Sequence, residues 1–347
     1  MTTVRSHYPG ISPRILKTIF TITLGFSSSA THAVLNAYAG VIGGAGNGSI
    51  AQGCTTYGPP AELAGFSFHS ASIPVGGIAA CGYSGGVSRV TSASGPLTHT
   101  YSLPPVILGN PGFSGYFDGK ADSIATYGSL GASAHANISG GIPGSPTALF
   151  ESTGAAQFSD TLTASSPLVA DLSAGYVRYQ FTIDGSLTSL GAPGSYLFGE
   201  TYAVLDVQHQ GGPLYQVFNG HVRRGELGII SGAVPPSGWM TSTGSLSGSS
   251  TVYSLDLPMN WGQAWEVEVG LLAWAYGTAD TNFLTTAKLT DIQLFDANHI
   301  EVNDFTLSTA SGTNYLSSVP LPPSAVLMLS ALGLLGLGMR RHHSENY

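Results

Sequence analysis

Four side chains on one short stretch have the types that recognise sugars. Trp274 and Tyr276 share a face with Glu266 and Glu268 on a strand predicted over Trp265–Tyr276, because side chains two apart on a strand point the same way. Aromatic faces stack on sugar C–H groups, and a neighbouring carboxylate accepts from hydroxyls. The four form a candidate glycan platform, against the competing reading that a loop or second sheet covers the face. Trp265 belongs to the other, apolar face with Val267, Val269, Leu271 and Ala273.

No residue is assigned a catalytic role. Gly82-Tyr83-Ser84-Gly85-Gly86 matches the nucleophile-elbow pattern, but an elbow needs a helix after it. Val87–Thr91 reads as strand, and 47 glycines make a chance match unsurprising. Glycoside hydrolysis needs two carboxylates facing each other across the sugar. Glu266 and Glu268 share a face, and Glu200, Asp206 and Glu226 lie elsewhere, yet no spacing selects a pair. Asp291, Asp296, Asn298, Glu301 and Asp304 gather oxygen ligands near a turn. Calcium takes six to eight oxygens, so it is a minor candidate, although the cluster lacks the order of a known calcium loop. The ten histidines have no HxH or HxxxH spacing, and no zinc site is assigned.

The elements that must hold these residues are strands. Only 9% of the chain is charged and 43% is hydrophobic, with aromatics and turn residues throughout. In Gly175–Leu187 the apolar Val177, Tyr179, Phe181 and Ile183 alternate with Tyr176, Arg178, Gln180, Thr182 and Asp184, followed by an expected tight turn at Asp184-Gly185. A hairpin region is expected over Ser123–Ser139 and strands over Gly86–Thr91, Ala155–Thr163 and Tyr196–Gln208. Closing strands are expected over Lys288–Phe295 and Val302–Ser308. Ser102–Gly115 and Ile230–Ser250 read as loops, and Ser308–Ser318 as a polar spacer. No stretch of the body has helical periodicity. The expectation is an all-β, jelly-roll-like sandwich over residues 34–317, as one body or two with a break near 102–115.

Charge excludes one class of partner. Between Val34 and Ser317 stand six Lys and Arg against eighteen Asp and Glu, a net −12. Such a body repels phosphate backbones, so nucleic acid is not expected as a partner.

Both ends read as export signals. Arg5, Arg14 and Lys17 precede the apolar Ile19–Phe26, and small residues lead to Ala33. That is the layout of a secretory signal peptide over residues 1–33, with cleavage expected after Ala33 or, second, Ala30. An oxidising destination suits the two cysteines, Cys54 and Cys81, as a disulfide worth about 3.5 kcal/mol by loop entropy. At the other end, residues 318–347 hold Val319-Pro320-Leu321-Pro322, then fifteen apolar or small residues from Ala325, then Arg340-Arg341. Prolines suit a first helical turn, and arginines stay on the cytoplasmic side. A membrane helix is expected over 321–339, which at nineteen residues nearly spans the bilayer.

Proline knot, apolar helix and paired arginines in that order resemble the PEP-CTERM sorting tail of exported Gram-negative proteins, here in a Val-Pro-Leu-Pro form. The resemblance implies processing by exosortase, a membrane protease-transpeptidase, and an association with exopolysaccharide and biofilm. The expected protein is exported and non-enzymatic. It would pass through the inner membrane on its C-terminal helix and then serve in the surface matrix, touching polysaccharide. The alternative is a polysaccharide-acting hydrolase or lyase carried on the same tail.

Overall fold

The computed structural model describes residues 33–45, 63, 66–67, 83–107, 116–139, 148–189, 199–223, 225–231 and 237–316. All lie in one compact unit, His32–Tyr347. All but Ala33 of the expected signal segment 1–33, Cys54 and Cys81, and the expected sorting tail fall outside the described residues.

The described chain is all-β. Its strands are β1 (Val34–Ala45), β2 (Tyr83–Ser92), β3 (Leu97–Ile107), β4 (Tyr116–Thr126), β5 (Ser129–Ser139), β6 (Ala148–Ser165), β7 (Ala174–Ser189), β8 (Glu200–His209), β9 (Leu214–Arg223), β10 (Ile229–Ser231), β11 (Trp239–Ser242), β12 (Ser245–Tyr253), β13 (Leu257–Asn260), β14 (Ala264–Tyr276), β15 (Ala279–Asp296) and β16 (Thr306–Thr309). They make two antiparallel sheets. The first runs β10-β9-β8-β14-β6-β1-β2, with β16 also on β6; the second runs β11-β12-β7-β15-β5-β4-β3, with β13 also on β7. The sheets face each other, with β1 and β6 against β4 and β5, and β8 and β9 against β7 and β12.

Strand alternation fills the space between the sheets. At one end the filling is aromatic and aliphatic: Phe158, Phe181, Phe218, Phe283, Tyr179, Trp265 and Leu205 are buried in one cluster. At the other end it is small: Ala39, Val41, Ala121, Ala134, Ala136, Ala275 and Ala279 surround Phe117 and Phe150. There the backbones close in. A Cβ on Gly154 of β6 would lie 2.5 Å from the carbonyl oxygens of both Asp122 on β4 and Ser133 on β5.

Several expected loops are strands. Residues 102–107 complete β3, which pairs with β4 in the same sheet. The two prolines are tolerated because the register shifts between Leu103 and Val106, on an edge strand. Asp184-Gly185 is not a turn, because β7 runs on to Ser189. Gly185 serves close approach instead, since a Cβ there would meet the Phe283 ring at 2.5 Å. Within Ile230–Ser250, β11 and β12 form a hairpin around Gly244, whose φ of 73° suits glycine.

The expected spacer Ser308–Ser318 is docked as far as it is described. β16 pairs with β6, and Tyr315 is buried and stacked on Phe158 at 6.1 Å. Asp160, fully buried on β6, holds this segment. It accepts from the Tyr315 hydroxyl (2.7 Å), from the Ser311 amide (3.0 Å) and from the Ser311 hydroxyl. Burial, then the Asp160 hydrogen bond, pushes the Tyr315 hydroxyl far above its ordinary value.

Candidate functional site on the outer face of the first sheet

The four platform residues do share the outer face of β14, but they do not form one site. Glu268 and Trp274 are six residues apart, roughly 20 Å along a strand. The middle of the face is covered. Leu63, Phe66 and Ser67 lie over it, with Phe66 edge-on to Tyr38 (6.5 Å) and Arg89 over the Phe66 ring (4.8 Å). Trp274 is only 2% exposed, clustered with Tyr38, Leu63, Tyr202 and Leu272. Its ring is core, so it cannot serve as an open stacking surface.

The two glutamates stand at the far end of β14. Glu266 is exposed. Glu268 is half-buried, and the Ser67 hydroxyl lies between it and Gln208 Oε1 (3.0 Å). The Ser67 amide donates to Gln157 Oε1 at 2.7 Å. These contacts pin the covering segment to the sheet, which is a structural use of Glu268.

Tyr276 stands at the other end of β14. It is half-buried and stacked on Trp274 at 5.8 Å, and its two register partners are Glu151 on β6 and Glu200 on β8. Next along, β9 places Arg223 opposite Glu200 and His221 opposite Tyr202. One carboxylate oxygen of Glu200 accepts from Arg223 Nε (2.7 Å), from His221 Nε2 (3.0 Å) and from the Tyr202 hydroxyl (3.0 Å). The Tyr202 ring lies flat on His221 at 4.0 Å. Burial opposes the charge on Glu200, but these three donors outweigh it and hold the carboxyl down to about 2. Burial and the same carboxylate push the Tyr202 hydroxyl up to about 12. Burial first, then Glu151 and Glu200, raises Tyr276 as well. Trp274 Nε1 donates to Glu151 Oε2 at 3.1 Å, which closes the cluster on its inner side.

Chemically this end offers a permanently ionised acceptor, a half-exposed guanidinium and a tyrosine ring edge. It suits the recognition of hydroxyl groups. Glu200 carries no proton to give near neutral pH, so it cannot act as the general acid that glycoside cleavage needs. Sequence spacing did not select Glu200, His221 and Arg223. Each pair alternates correctly, Glu200 with Tyr202 and His221 with Arg223, but only the β8–β9 register brings them together.

The other candidate sites resolve as structure. Ser84 lies within β2, which continues as strand to Ser92, so no nucleophile elbow forms. A Ser–His pair does occur nearby, Ser88 Oγ to His99 Nε2 at 2.6 Å, joining β2 to β3 across the sheets. No described carboxylate orients His99, and the pair acts as a seam. In the proposed calcium cluster Asp296 caps its own turn, accepting from the amides of Asn298 (2.8 Å) and Ile300 (2.9 Å). Those bonds, the Ile300 amide foremost, lower its pKa. Asp291 accepts from the amide of Ile292 at 2.9 Å. Among the described residues no three His, Cys, Asp or Glu side chains converge on one point. Nor does any described helix have the length and apolar character to cross a membrane.

No known protein family, no curated protein and no solved structure matches this chain.

Proposed function

We propose that this chain is an exported protein of a Gram-negative cell envelope, carried to the surface by its Val319–Arg341 tail. There it would associate with matrix polysaccharide as a non-enzymatic β-sandwich. The observation that carries the polysaccharide part is the polar cluster at the Tyr276 end of the first sheet. There Arg223 and the ionised Glu200 are held in fixed geometry by hydrogen bonds the protein makes to itself, beside a Tyr276 ring stacked on Trp274. Preorganised polar groups beside an aromatic edge bind hydroxyl-rich chains at low entropic cost.

The sorting part is supported by the Asp160 clasp. Tyr315 is anchored, and the Val-Pro-Leu-Pro motif begins four residues later. A protease would then meet its motif immediately beyond a rigid body. Localisation tests this part: a strain producing the chain without Val319–Tyr347 should lose surface delivery, and unchanged delivery would defeat it. Glycan-array binding of the purified body tests the other part. Tyr276→Ala should weaken binding about tenfold, as expected for the loss of one aromatic contact with its hydrogen bond. Equal binding by wild type and variant would remove this face from the proposal.

The enzyme reading keeps one point in its favour. Glu151 and Glu200 flank Tyr276 from the two neighbouring strands, a Cα separation of roughly 10 Å at ordinary strand spacing. Release of reducing sugar from a purified matrix polysaccharide, abolished by Glu151→Gln, would decide for it.

A further inference from the structure

We propose that a groove on the outer face of the second sheet is a separate binding site for uncharged hexose units of a polysaccharide. Only its ligand class rests on the function proposed above. The residues are different and stand on the opposite side of the sandwich.

The groove arises from one extra residue. β12 pairs with β7 as far as Tyr253 opposite Gln180, and β13 resumes with Leu257 opposite Val177. Two residues of β7 are therefore spanned by three, Ser254, Leu255 and Asp256. A bulge results, and bulges re-aim side chains. It is not loose. The Ser254 amide donates to the Tyr179 carbonyl (2.9 Å), and the Ser254 hydroxyl accepts from the Tyr179 amide (2.9 Å), replacing the missing ladder bond. Leu255 is pushed outward and is 51% exposed.

Between bulge and strand lies a cavity of about 410 Å3 lined by Arg178, Tyr253, Ser254, Leu255 and Asp256. That falls within the range of small-molecule sites, roughly 300–1,000 Å3. Its charged floor is fixed from every side. Arg178 Nε donates to Asp256 Oδ1 at 2.7 Å, while the guanidinium lies over the Phe295 ring at 4.9 Å. His299 Nδ1 contacts the other oxygen of Asp256 at 3.1 Å and stacks on Tyr176 at 3.9 Å. His299 holds a left-handed φ of 59° to do so. A side chain in that region costs on the order of 1 kcal/mol unless its surroundings fix it.

Two groups remain unspent. Beyond its bond to Asp256, Arg178 makes no hydrogen bond among the described residues, so its terminal amino groups keep their donors. The Tyr253 hydroxyl has no partner among them either. A planar donor beside a planar acceptor, walled by a tyrosine and a leucine, matches a hexose. Its neighbouring hydroxyls both donate and accept, and its C–H face is apolar. A polyanion fits less well, because Asp256 already neutralises Arg178 and the body carries a net −12 between Val34 and Ser317.

The test is affinity electrophoresis of the full body through gels containing dextran, galactomannan or hydroxyethylcellulose, with alginate as the charged comparator. At least one neutral polymer should retard the protein, and alginate should not. Arg178→Met should weaken the neutral-polymer affinity about tenfold, the effect of one hydrogen bond from a charged donor. Leu255→Asp, at a half-exposed position, should do the same. If Tyr276→Ala weakens binding while Arg178→Met and Leu255→Asp do not, the groove is overturned and the first-sheet site stands. Retardation by alginate alone overturns the uncharged ligand. Retardation by no polymer overturns the groove and the polysaccharide association together.

Discussion

The two ends of the sandwich join their sheets by different means. At the small end, between β1 and β6 on one side and β4 and β5 on the other, the joint is backbone. Gly154 lets two strands of the second sheet come close. Ser152 donates across to the Lys120 carbonyl (2.7 Å), and Thr281 donates across to the Trp274 carbonyl (2.7 Å). At the aromatic end the joint is made of side chains. Trp265 Nε1 donates to the Tyr179 hydroxyl (2.9 Å), that hydroxyl donates to His209 Nδ1 (3.2 Å), and His209 Nε2 donates to the Pro258 carbonyl (2.9 Å). The chain crosses from the first sheet to the second, back to the first and over to the second again, and every polar atom in it is used. A backbone joint leaves no room for atoms to be added. A side-chain joint leaves no room for one to be removed.

The largest effect should come from adding volume at the small end. Gly154→Val places methyl groups against two backbone carbonyls that can retreat only if the sheets part. A loss of at least about 3 kcal/mol is expected in urea unfolding, as for severe overpacking. A midpoint near wild type would mean that the sheets are not locked there. The same kind of change at the aromatic end should be milder: Val207→Ile adds one methylene among side chains that can shift, and should cost about 1 kcal/mol.

Removing atoms should reverse the ranking. Tyr179→Phe leaves both Trp265 Nε1 and His209 Nδ1 buried without a partner, at a cost of about 1–3 kcal/mol. Ser152→Ala leaves only a carbonyl that already sits in a strand ladder, so about 0.5–1 kcal/mol is expected. Equal losses in the two variants would erase the distinction between the joints.

Sequence makes the aromatic end visible and hides the small one. Val177, Tyr179, Phe181 and Ile183 announce a half-buried strand by strict alternation, as do Trp265, Val267, Val269 and Leu271. The expected strands there, Gly175–Leu187 and Trp265–Tyr276, fall within β7 and β14. Alanine, glycine and serine give no such contrast. SLGASAHANIS of β5 buries its alanines by position alone, and the serine-rich β12 resembles a linker. The Tyr276 end was legible as residue types and not as an assembly. Tyr276 was identified on its face, whereas Glu200 joins it through a pairing of β8 with β14, two strands separated by more than fifty residues. Trp274 was placed on the right face, but what covers that face comes from the β1–β2 connection, which no periodicity could assign.

The smallest predicted effect also separates the two ends, through the sign of its pH dependence. His209 at the aromatic end has its pKa lowered by burial, so acid favours the unfolded chain, where the ring ionises freely. Its contribution to stability is complete above the ordinary histidine value of 6.5 and is lost as pH falls below it. His135, on β5 beside the small end, has its pKa raised, chiefly by its hydrogen bond to Asp280 (2.5 Å). Its contribution is complete below 6.5 and is lost as pH climbs through the raised value. In the wild type the two slopes fall on opposite sides of 6.5, so the denaturation midpoint should pass through a maximum near that pH and decline toward both 7.5 and 5.5. His209→Gln should expose a protein that gains stability on acidification. His135→Gln should expose one that loses it. Below about 4.5 a further loss follows in all three, because Glu200, held down to about 2, must take up a proton to unfold its cluster. If both histidine variants keep the wild-type profile, the two ends do not differ in charge coupling, and the contrast between them is one of packing alone.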